Sequence, residues 1–189
     1  VAAPRLGDTV LVYGAGMIGL GAVAACSLRG CRVIAVDRDE RRLAVAHEFG
    51  ADHLIHSRKT PTREALKALA PEGADVVFEA TGIPSCIDEA VLLCRRHGTL
   101  VMQGNYGAAP ISTQFLPAHG RELTVVYPCD DGYPPCRRAV LKHMQRGELR
   151  WEKTITHRLR AAEAPDFFAR INAGLAGDVL GATIRWNEM

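Results

Sequence analysis

The sequence predicts a doubly wound α/β fold, in which a parallel sheet is covered by helices on both faces. Short and almost continuously apolar runs alternate with longer stretches of helical periodicity, as in parallel strands joined by crossover helices. A glycine-rich loop also stands directly between the first apolar run and the first helical stretch. We therefore expect strands and helices to follow one another along most of the chain.

The first part of the chain contains three strand and helix pairs. The predicted strands cover residues 9–13, 31–36 and 53–55, and the predicted helices cover residues 17–29, 39–49 and 61–69. Apolar residues recur at helical spacing in each helix. Gly30 and Gly50 follow the first two helices, where a left-handed cap is common. Pro61 fits the first turn of the third helix, where its missing N–H has no partner to lose.

The alternation continues and then becomes less regular. Predicted strands cover residues 74–78, 99–103, 123–127 and 181–186, a short extended piece covers 154–157, and predicted helices cover 83–96, 134–145 and 165–173. No internal repeat or low-complexity linker interrupts these elements. The order of the strands within the sheet is not readable from periodicity.

The loop at residues 13–20 reads YGAGMIGL and contains the pattern GxGxxG. Gly14 permits a tight turn, Gly16 lets the backbone approach a phosphate group, and Gly19 lets the helix pack closely on the strand. The loop opens a helix, whose first backbone N–H groups are free to hold a pyrophosphate. A side chain at Gly16 would occupy the place of the phosphate.

An acidic residue stands where a dinucleotide would place its adenosine ribose. Asp37 ends the second apolar run, eighteen residues after Gly19. This spacing is near that of the carboxylate that binds the ribose hydroxyls in dinucleotide-binding βαβ units. Strand, loop, helix, strand and acid occur in the required order, which favours a Rossmann NAD(P)-binding fold over an ordinary turn followed by a surface aspartate.

Composition narrows the class of protein. The chain has 189 residues, 48% hydrophobic and 23% charged, with a formal net charge of +2. These values are typical of a globular domain and predict no strong attraction to nucleic acid or to anionic membranes. No apolar stretch reaches the roughly 20 residues of a membrane-spanning helix, and the first residues contain no signal-peptide core. We expect a cytoplasmic protein whose six cysteines are free thiols.

Four segments resemble the coenzyme domain of the medium-chain dehydrogenase/reductase family, especially its zinc-dependent alcohol and polyol dehydrogenases. The segments are GDTVLVYGAGMIGLGAVAACSLRGCRVIAVDRDERRLAVAHEFGADHLI (7–55), GADVVFEATG (73–82), GTLVMQGNYG (98–107) and ITHRL (155–159). The resemblance extends over nearly the whole chain. It implies a dinucleotide-binding domain at residues 1–189, as a fragment that lacks the amino-terminal catalytic domain of such enzymes.

The resemblance also implies a set of cofactor-binding residues. They are Gly14, Gly16, Met17, Ile18 and Gly19 at the pyrophosphate, Asp37, Arg38 and Arg42 at the adenosine end, Ala80, Thr81 and Gly82 along the adenine and ribose pocket, and Gln103, Gly104 and Asn105 beside the nicotinamide. Physical reasoning supports Thr81 directly, because it follows a buried strand at the edge where open α/β sheets bind ligands. Arg42 on a solvated helix face and Asn105 as a turn former are equally good interpretations.

The residues around Asp37 favour NAD over NADP. A carboxylate about 4 Å from the extra phosphate of NADP would cost roughly 1 to 4 kcal/mol per charge pair, depending on the local dielectric constant. The neighbouring arginines, Arg38, Arg41 and Arg42, act in the opposite direction because guanidinium groups pair well with phosphate.

Pro128 departs from the pattern of the family at the nicotinamide end. When residues 120–128 are aligned with the family's last strand, Pro128 falls near a position whose backbone N–H would bind the carboxamide. Proline has no such donor. Either the alignment is displaced by one residue, or this protein orients the nicotinamide differently.

No catalytic residue and no metal ligand is assigned to this chain. Its histidines lack metal-ligand spacing with a cysteine or an acid. The resemblance implies an NAD-dependent dehydrogenase whose zinc, and whose contacts with a small alcohol or carbonyl substrate, belong to the missing domain, so the chain alone is expected to be inactive. A coenzyme domain of a zinc-free enoyl or quinone reductase and a noncatalytic nucleotide-sensing module are the alternatives. Relatives commonly join sheet edges, which makes a homo-oligomer plausible.

Overall fold

The computed structural model describes residues 2–129 and 134–187. These residues divide into two compact units, the first ending at Arg137 and the second beginning at Arg138. The first unit contains β1 (Thr9–Tyr13), α1 (Met17–Leu28), β2 (Arg32–Asp37), α2 (Glu40–Glu48), β3 (His53–His56), α3 (Thr62–Leu69), β4 (Ala74–Glu79), α4 (Cys86–Leu93), β5 (Cys94–Met102), α5 (Phe115–Gly120) and β6 (Thr124–Val126).

The division falls within α6 (Pro134–Gln145). The second unit then contains β7 (Ile155–Arg160), α7 (Ala164–Asn172) and β8 (Gly181–Arg185), with 3-10 turns at Trp151–Thr154 and Ala161–Glu163. β7 and β8 pair in parallel as a separate two-stranded sheet. Phe167 of α7 is buried and lies beside the ring of His157 on β7, with ring centroids 5.4 Å apart.

The first unit is built on a six-stranded parallel sheet with the order β3-β2-β1-β4-β5-β6. This order is that of dinucleotide-binding Rossmann folds, and it reverses between β1 and β4. The carboxyl ends of both strands therefore open a crevice at one edge of the sheet. The predicted doubly wound α/β fold is confirmed.

Helices cover both faces of this sheet. Leu11, Ile34 and Val77 belong to a buried cluster that also contains Leu66 of α3 and Ile87 of α4. The next residue along β1, Val12, points to the opposite face, where α1 packs against the sheet. Burial on both faces explains why the central strands are apolar at nearly every position.

One predicted helix was too long, and one short helix was not predicted. The helix predicted over 83–96 is shorter, because α4 ends at Leu93 and residues 94–98 join β5. Ala74 pairs with Cys94 and Val76 with Thr99, so the chain bulges between these two pairs. The six-residue helix α5 was not predicted, since it is short and contains Pro117 in its first turn, where proline is tolerated.

Among the described residues, no helix is both long and apolar enough to cross a membrane.

Candidate functional site

The glycine loop lies at the carboxyl end of β1, where the strand order reverses. Gly14 has φ of +101°, and a Cβ added there would lie 3.0 Å from the backbone carbon of Ala80. A Cβ at Gly19 would lie 1.8 Å from the carbonyl oxygen of Gly14. A side chain at Gly19 would therefore collide with the backbone, and one at Gly14 would be strained by the positive φ and tightly packed against Ala80, so the fold itself favours glycine at both positions.

Gly16 differs from its two neighbours in the loop. Its φ is −74°, which any residue adopts, and a Cβ added there would meet no atom within 4 Å. Neither strain nor packing in the described residues therefore requires glycine. Gly16 is also the N-cap of α1 and supplies no side chain to the first turn of this helix. The first backbone N–H groups of α1 have no partner within the helix, so they are available to an anion.

Asp37 holds the loop in place from the end of β2. Its Oδ2 accepts a hydrogen bond of 2.7 Å from the backbone N–H of Ala15, and its Oδ1 accepts one of 2.9 Å from the N–H of Asp39. The side chain is only 8% exposed. An ionised carboxylate accepts about four hydrogen bonds, so Asp37 retains capacity for hydroxyl groups in the crevice.

A cavity of about 270 Å³ joins these parts. It is lined by seven predicted residues: Gly14, Gly16, Asp37, Arg38, Arg42, Ala80 and Thr81. It is also lined by five residues that sequence reasoning missed: Tyr13, Val36, Ser57, Ile83 and Cys86. Tyr13, Val36 and Ser57 stand at or just beyond strand ends, and the rule that ligands bind at the carboxyl edge of such sheets could have found them.

A second groove, of about 670 Å³, lies at the carboxyl ends of β5 and β6. It contains the three predicted contacts that directly follow β5, Gln103, Gly104 and Asn105, together with Pro128. The Oε1 atom of Gln103 is buried without a hydrogen-bond partner among the described residues. Neither groove lining includes Met17, Ile18, Gly19 or Gly82.

Glu79, the last residue of β4, connects the loops of the two grooves. Its carboxylate accepts hydrogen bonds from the hydroxyls of Thr81 and Tyr106 and from the backbone N–H of Thr81, the last at 3.1 Å. Glu79 has no exposed surface. Burial and the hydrogen bond to Glu79 raise the pKa of Tyr106, which therefore remains a hydroxyl donor at neutral pH.

A second tyrosine and glutamate pair borders the first cavity. The Tyr13 hydroxyl donates a hydrogen bond of 2.6 Å to Oε2 of Glu89 on α4. Burial and this contact raise the pKa of Tyr13. Tyr13 and Cys86 both line the cavity, so the pair ties α4 to one of its walls.

The basic residues that follow Asp37 differ in whether they line the cavity. Arg41 forms an ion pair with Asp39, with 2.7 Å between Nη2 and Oδ2. This contact lowers the pKa of Asp39 to about 2. Arg38 and Arg42 line the cavity, whereas Arg41 does not. Positive charge is therefore close to Asp37 on one side of the cavity.

Metal-binding groups are not clustered in the part of the chain that the structure describes. No three His, Cys, Asp or Glu side chains there are arranged to hold a metal ion. All six cysteines are free thiols, and Cys26, Cys31 and Cys94 are buried.

Comparison with known proteins relates this geometry to a family. Residues 18–141 match the family described as zinc-binding dehydrogenase. Sorbitol dehydrogenase 1 of Saccharomyces cerevisiae is 33% identical, and the match covers 97% of this chain and 53% of the yeast protein.

Solved structures give the same relationship. Alcohol dehydrogenase TADH from Thermus sp. ATN1 superimposes with a TM-score of 0.79 at 26% identity, over 96% of this chain and 52% of that one. A short chain alcohol dehydrogenase of Escherichia coli CFT073, solved with NADH, has a TM-score of 0.77 at 30% identity, over 89% of this chain and 50% of that one. The chain thus spans about half the length of these relatives.

Proposed function

The chain belongs to the zinc-binding dehydrogenase family, and from this premise we propose that it is the coenzyme-binding part of an NAD-dependent alcohol or polyol dehydrogenase. Its role would be to hold the dinucleotide so that the nicotinamide faces a substrate. The observation that carries this proposal is the geometry of Gly16, at the amino end of α1 beside Asp37. Gly16 is open to the crevice, and nothing in the described fold requires a glycine there.

The pyrophosphate would lie against the first turn of α1. The partial positive charge at a helix amino end and the unpaired N–H groups of its first turn both favour an anion. A side chain at residue 16 would project into that space, whereas Gly14 and Gly19 shape the loop from within. Met17 and Ile18 would then contribute backbone N–H groups, which explains why their side chains need not line the cavity.

Asp37 would bind the adenosine ribose hydroxyls, and this supports NAD as the coenzyme. The 2′-phosphate of NADP would stand next to a buried carboxylate that already holds two backbone N–H groups in place and so cannot turn away without releasing them. Arg38 and Arg42 would partly offset this repulsion. Tyr13, Val36 and Ile83 offer apolar surface for the adenine.

The nicotinamide would occupy the second groove, beside Gln103, Gly104 and Asn105. When bound, the coenzyme supplies hydride acceptor and donor chemistry for an alcohol or carbonyl group. The residues of this chain would bind and orient it. We place the zinc and the substrate contacts outside the chain, in agreement with the relatives' roughly twofold greater length.

We also propose that the chain self-associates through a sheet edge and that it is located in the cytoplasm. β6 is an edge strand that pairs only with β5 among the described strands, so its other side is available to a second copy of the chain. Tyr127, just beyond this strand, is 74% exposed. Six free thiols agree with a reducing compartment such as the cytoplasm.

Titration of the full chain with NADH and NADPH tests the proposal, with coenzyme fluorescence and melting temperature as readouts. We expect NADH to bind more tightly than NADPH and to raise the melting temperature. Gly16→Val should abolish binding, whereas the unliganded protein should keep its fold and melt only slightly below the wild type, because valine is a poorer N-cap residue than glycine. Gly120→Ala is the matched control, because a Cβ there also meets no atom within 4 Å but lies on α5. Absence of binding by either coenzyme would refute the proposed function.

A further inference from the structure

Glu79 is a completely buried acidic residue at the carboxyl end of the central strand β4. Both oxygens of its side chain act as hydrogen-bond acceptors, Oε1 from Thr81 and Oε2 from Tyr106. Among the ion pairs recorded for the described residues, none includes Glu79. Among the described residues, hydroxyl and amide donors rather than a cation therefore compensate this carboxylate.

The contacts of Glu79 join two loops that are distant in sequence. Thr81 belongs to the loop after β4 and Tyr106 to the loop after β5, and the backbone oxygen of Glu79 also accepts hydrogen bonds of 2.9 Å from the N–H groups of Gln103 and Gly104. The two loops touch directly, because a Cβ at Gly104 would lie 2.6 Å from the backbone nitrogen of Gly82. One side chain thus fixes the spacing between the walls of the two grooves.

The position of Glu79 in the sheet indicates which half of the coenzyme would bind near it. Rossmann sheets bind a dinucleotide across the reversal point, with one mononucleotide on each half of the sheet. Asp37 on β2 marks the adenosine half, so the nicotinamide half lies above the ends of β4, β5 and β6. Glu79 ends β4, the first strand of that half, and this inference therefore rests on the proposed function.

A negative charge at this place would distinguish the two redox forms of the coenzyme. The nicotinamide ring carries a positive charge in NAD⁺ and none in NADH. Water cannot reach Glu79 to screen its charge, and hydroxyl dipoles reduce the field without cancelling it. We propose that Glu79 is a positioning residue that ties the two coenzyme loops together and favours the oxidised nicotinamide over the reduced one.

The electrostatic part is tested by Glu79→Gln, which keeps the shape of the side chain and removes its charge. The ratio of the two dissociation constants, NAD⁺ over NADH, should rise roughly four- to twenty-fold. This is the factor for two unit charges about 10 Å apart at an effective dielectric constant of about 20 to 40. Glu79→Asp retains the charge and should keep the wild-type ratio, even if both coenzymes bind more weakly.

Asp75→Asn is the matched control on the same strand. Asp75 lies at the amino end of β4, where it accepts hydrogen bonds from the N–H of Thr9 at 2.8 Å and from Arg95 at 2.5 Å. Replacement of this carboxylate should lower the stability of the fold and leave the NAD⁺ to NADH ratio of dissociation constants within twofold of the wild type. If the NAD⁺ to NADH ratio of dissociation constants is unchanged in Glu79→Gln, the inference about Glu79 is overturned. Binding of NADH by the wild type would still support the proposed function in that case. Failure of the wild type to bind either coenzyme would refute both.

Tyr106→Phe tests the tie between the loops and remains decisive if Glu79→Gln does not fold. It removes one hydroxyl and leaves the charge. Both coenzymes should bind about three- to ten-fold more weakly, the change that corresponds to one lost hydrogen bond, with the ratio within twofold of the wild type. Wild-type affinity for both coenzymes would show that Glu79 does not position these loops.

Discussion

Gly19 packs beneath Gly14 so closely that a Cβ at residue 19 would stand 1.8 Å from the carbonyl oxygen of residue 14. The contact joins the first turn of α1 to the end of β1. We expect Gly19→Ala to lower the free energy of unfolding by about 3 kcal/mol or more, because the helix must shift away from the sheet. Urea unfolding measures this change. Gly120→Ala should stay within about 1 kcal/mol of the wild type, and equal stability of the two variants would contradict the packing described here.

Asp37→Asn should change coenzyme preference. Replacement of the carboxylate by an amide removes the repulsion of a 2′-phosphate, so the affinity for NADPH relative to NADH should rise about tenfold or more. Fluorescence titration with both coenzymes gives the ratio. Asp52→Asn is the control, because Asp52 likewise accepts a backbone hydrogen bond, 2.7 Å from the N–H of Val33, and does not line the cavity. If Asp37→Asn and Asp52→Asn give the same ratio, Asp37 does not select the coenzyme.

The buried thiols should make stability fall in alkaline solution. Burial raises the pKa of Cys26 and of Cys94 from 9.0 to about 12. Between these values the folded protein keeps a proton that the unfolded chain releases, so stability is complete below pH 9 and declines as pH rises towards 12. Each thiol contributes about 1.4 kcal/mol per pH unit in this window.

Denaturant unfolding between pH 8 and pH 11 checks the alkaline decline. The double variant Cys26→Ala/Cys94→Ala should be less stable at pH 8 because of the lost packing, yet its stability should depend less steeply on pH. If the unfolding free energy of the double variant falls with pH as steeply as that of the wild type, groups other than these two thiols cause the decline.

A charge on the edge strand should weaken self-association. Thr124 is an exposed residue of β6, and a lysine there would place like charges next to each other in a pair of copies joined through this edge. Sedimentation should show a larger monomer fraction for Thr124→Lys than for the wild type. Gln145→Lys adds the same charge on an exposed position of α6 and should leave the association unchanged. If the wild type is monomeric, the proposed self-association through β6 is refuted.

Sequence reasoning was strongest where neighbouring residues determine the structure. The first strand, the glycine loop and Asp37 follow local rules of chain geometry, and the structure places the end of this strand, the loop and Asp37 at one cavity. The end of α4 at Leu93 could not be predicted, because residues 94–98 are helix-compatible and become a strand only through pairing with β4.

Contacts between distant segments were not visible in the sequence. Glu79 and Tyr106 are separated by 27 positions, and nothing local to either residue indicates that they meet. The sequence predicts Tyr13 as the last residue of a buried strand. In the structure its hydroxyl donates a hydrogen bond to Glu89, and the residue also lines the cavity. Such pairs depend on which strands become neighbours, and periodicity does not contain that information.

The strand order has a consequence for how the protein folds during its synthesis. β1 is paired on one side with β2, which follows it closely, and on the other with β4, which begins 61 residues after Tyr13. A growing chain that stops short of Ala74 therefore possesses the glycine loop and Asp37 but lacks the opposite wall of the crevice. Closing such a long loop is slow compared with forming a local helix. The proposed capture of a dinucleotide in this crevice would thus have to wait until β4 has paired with β1.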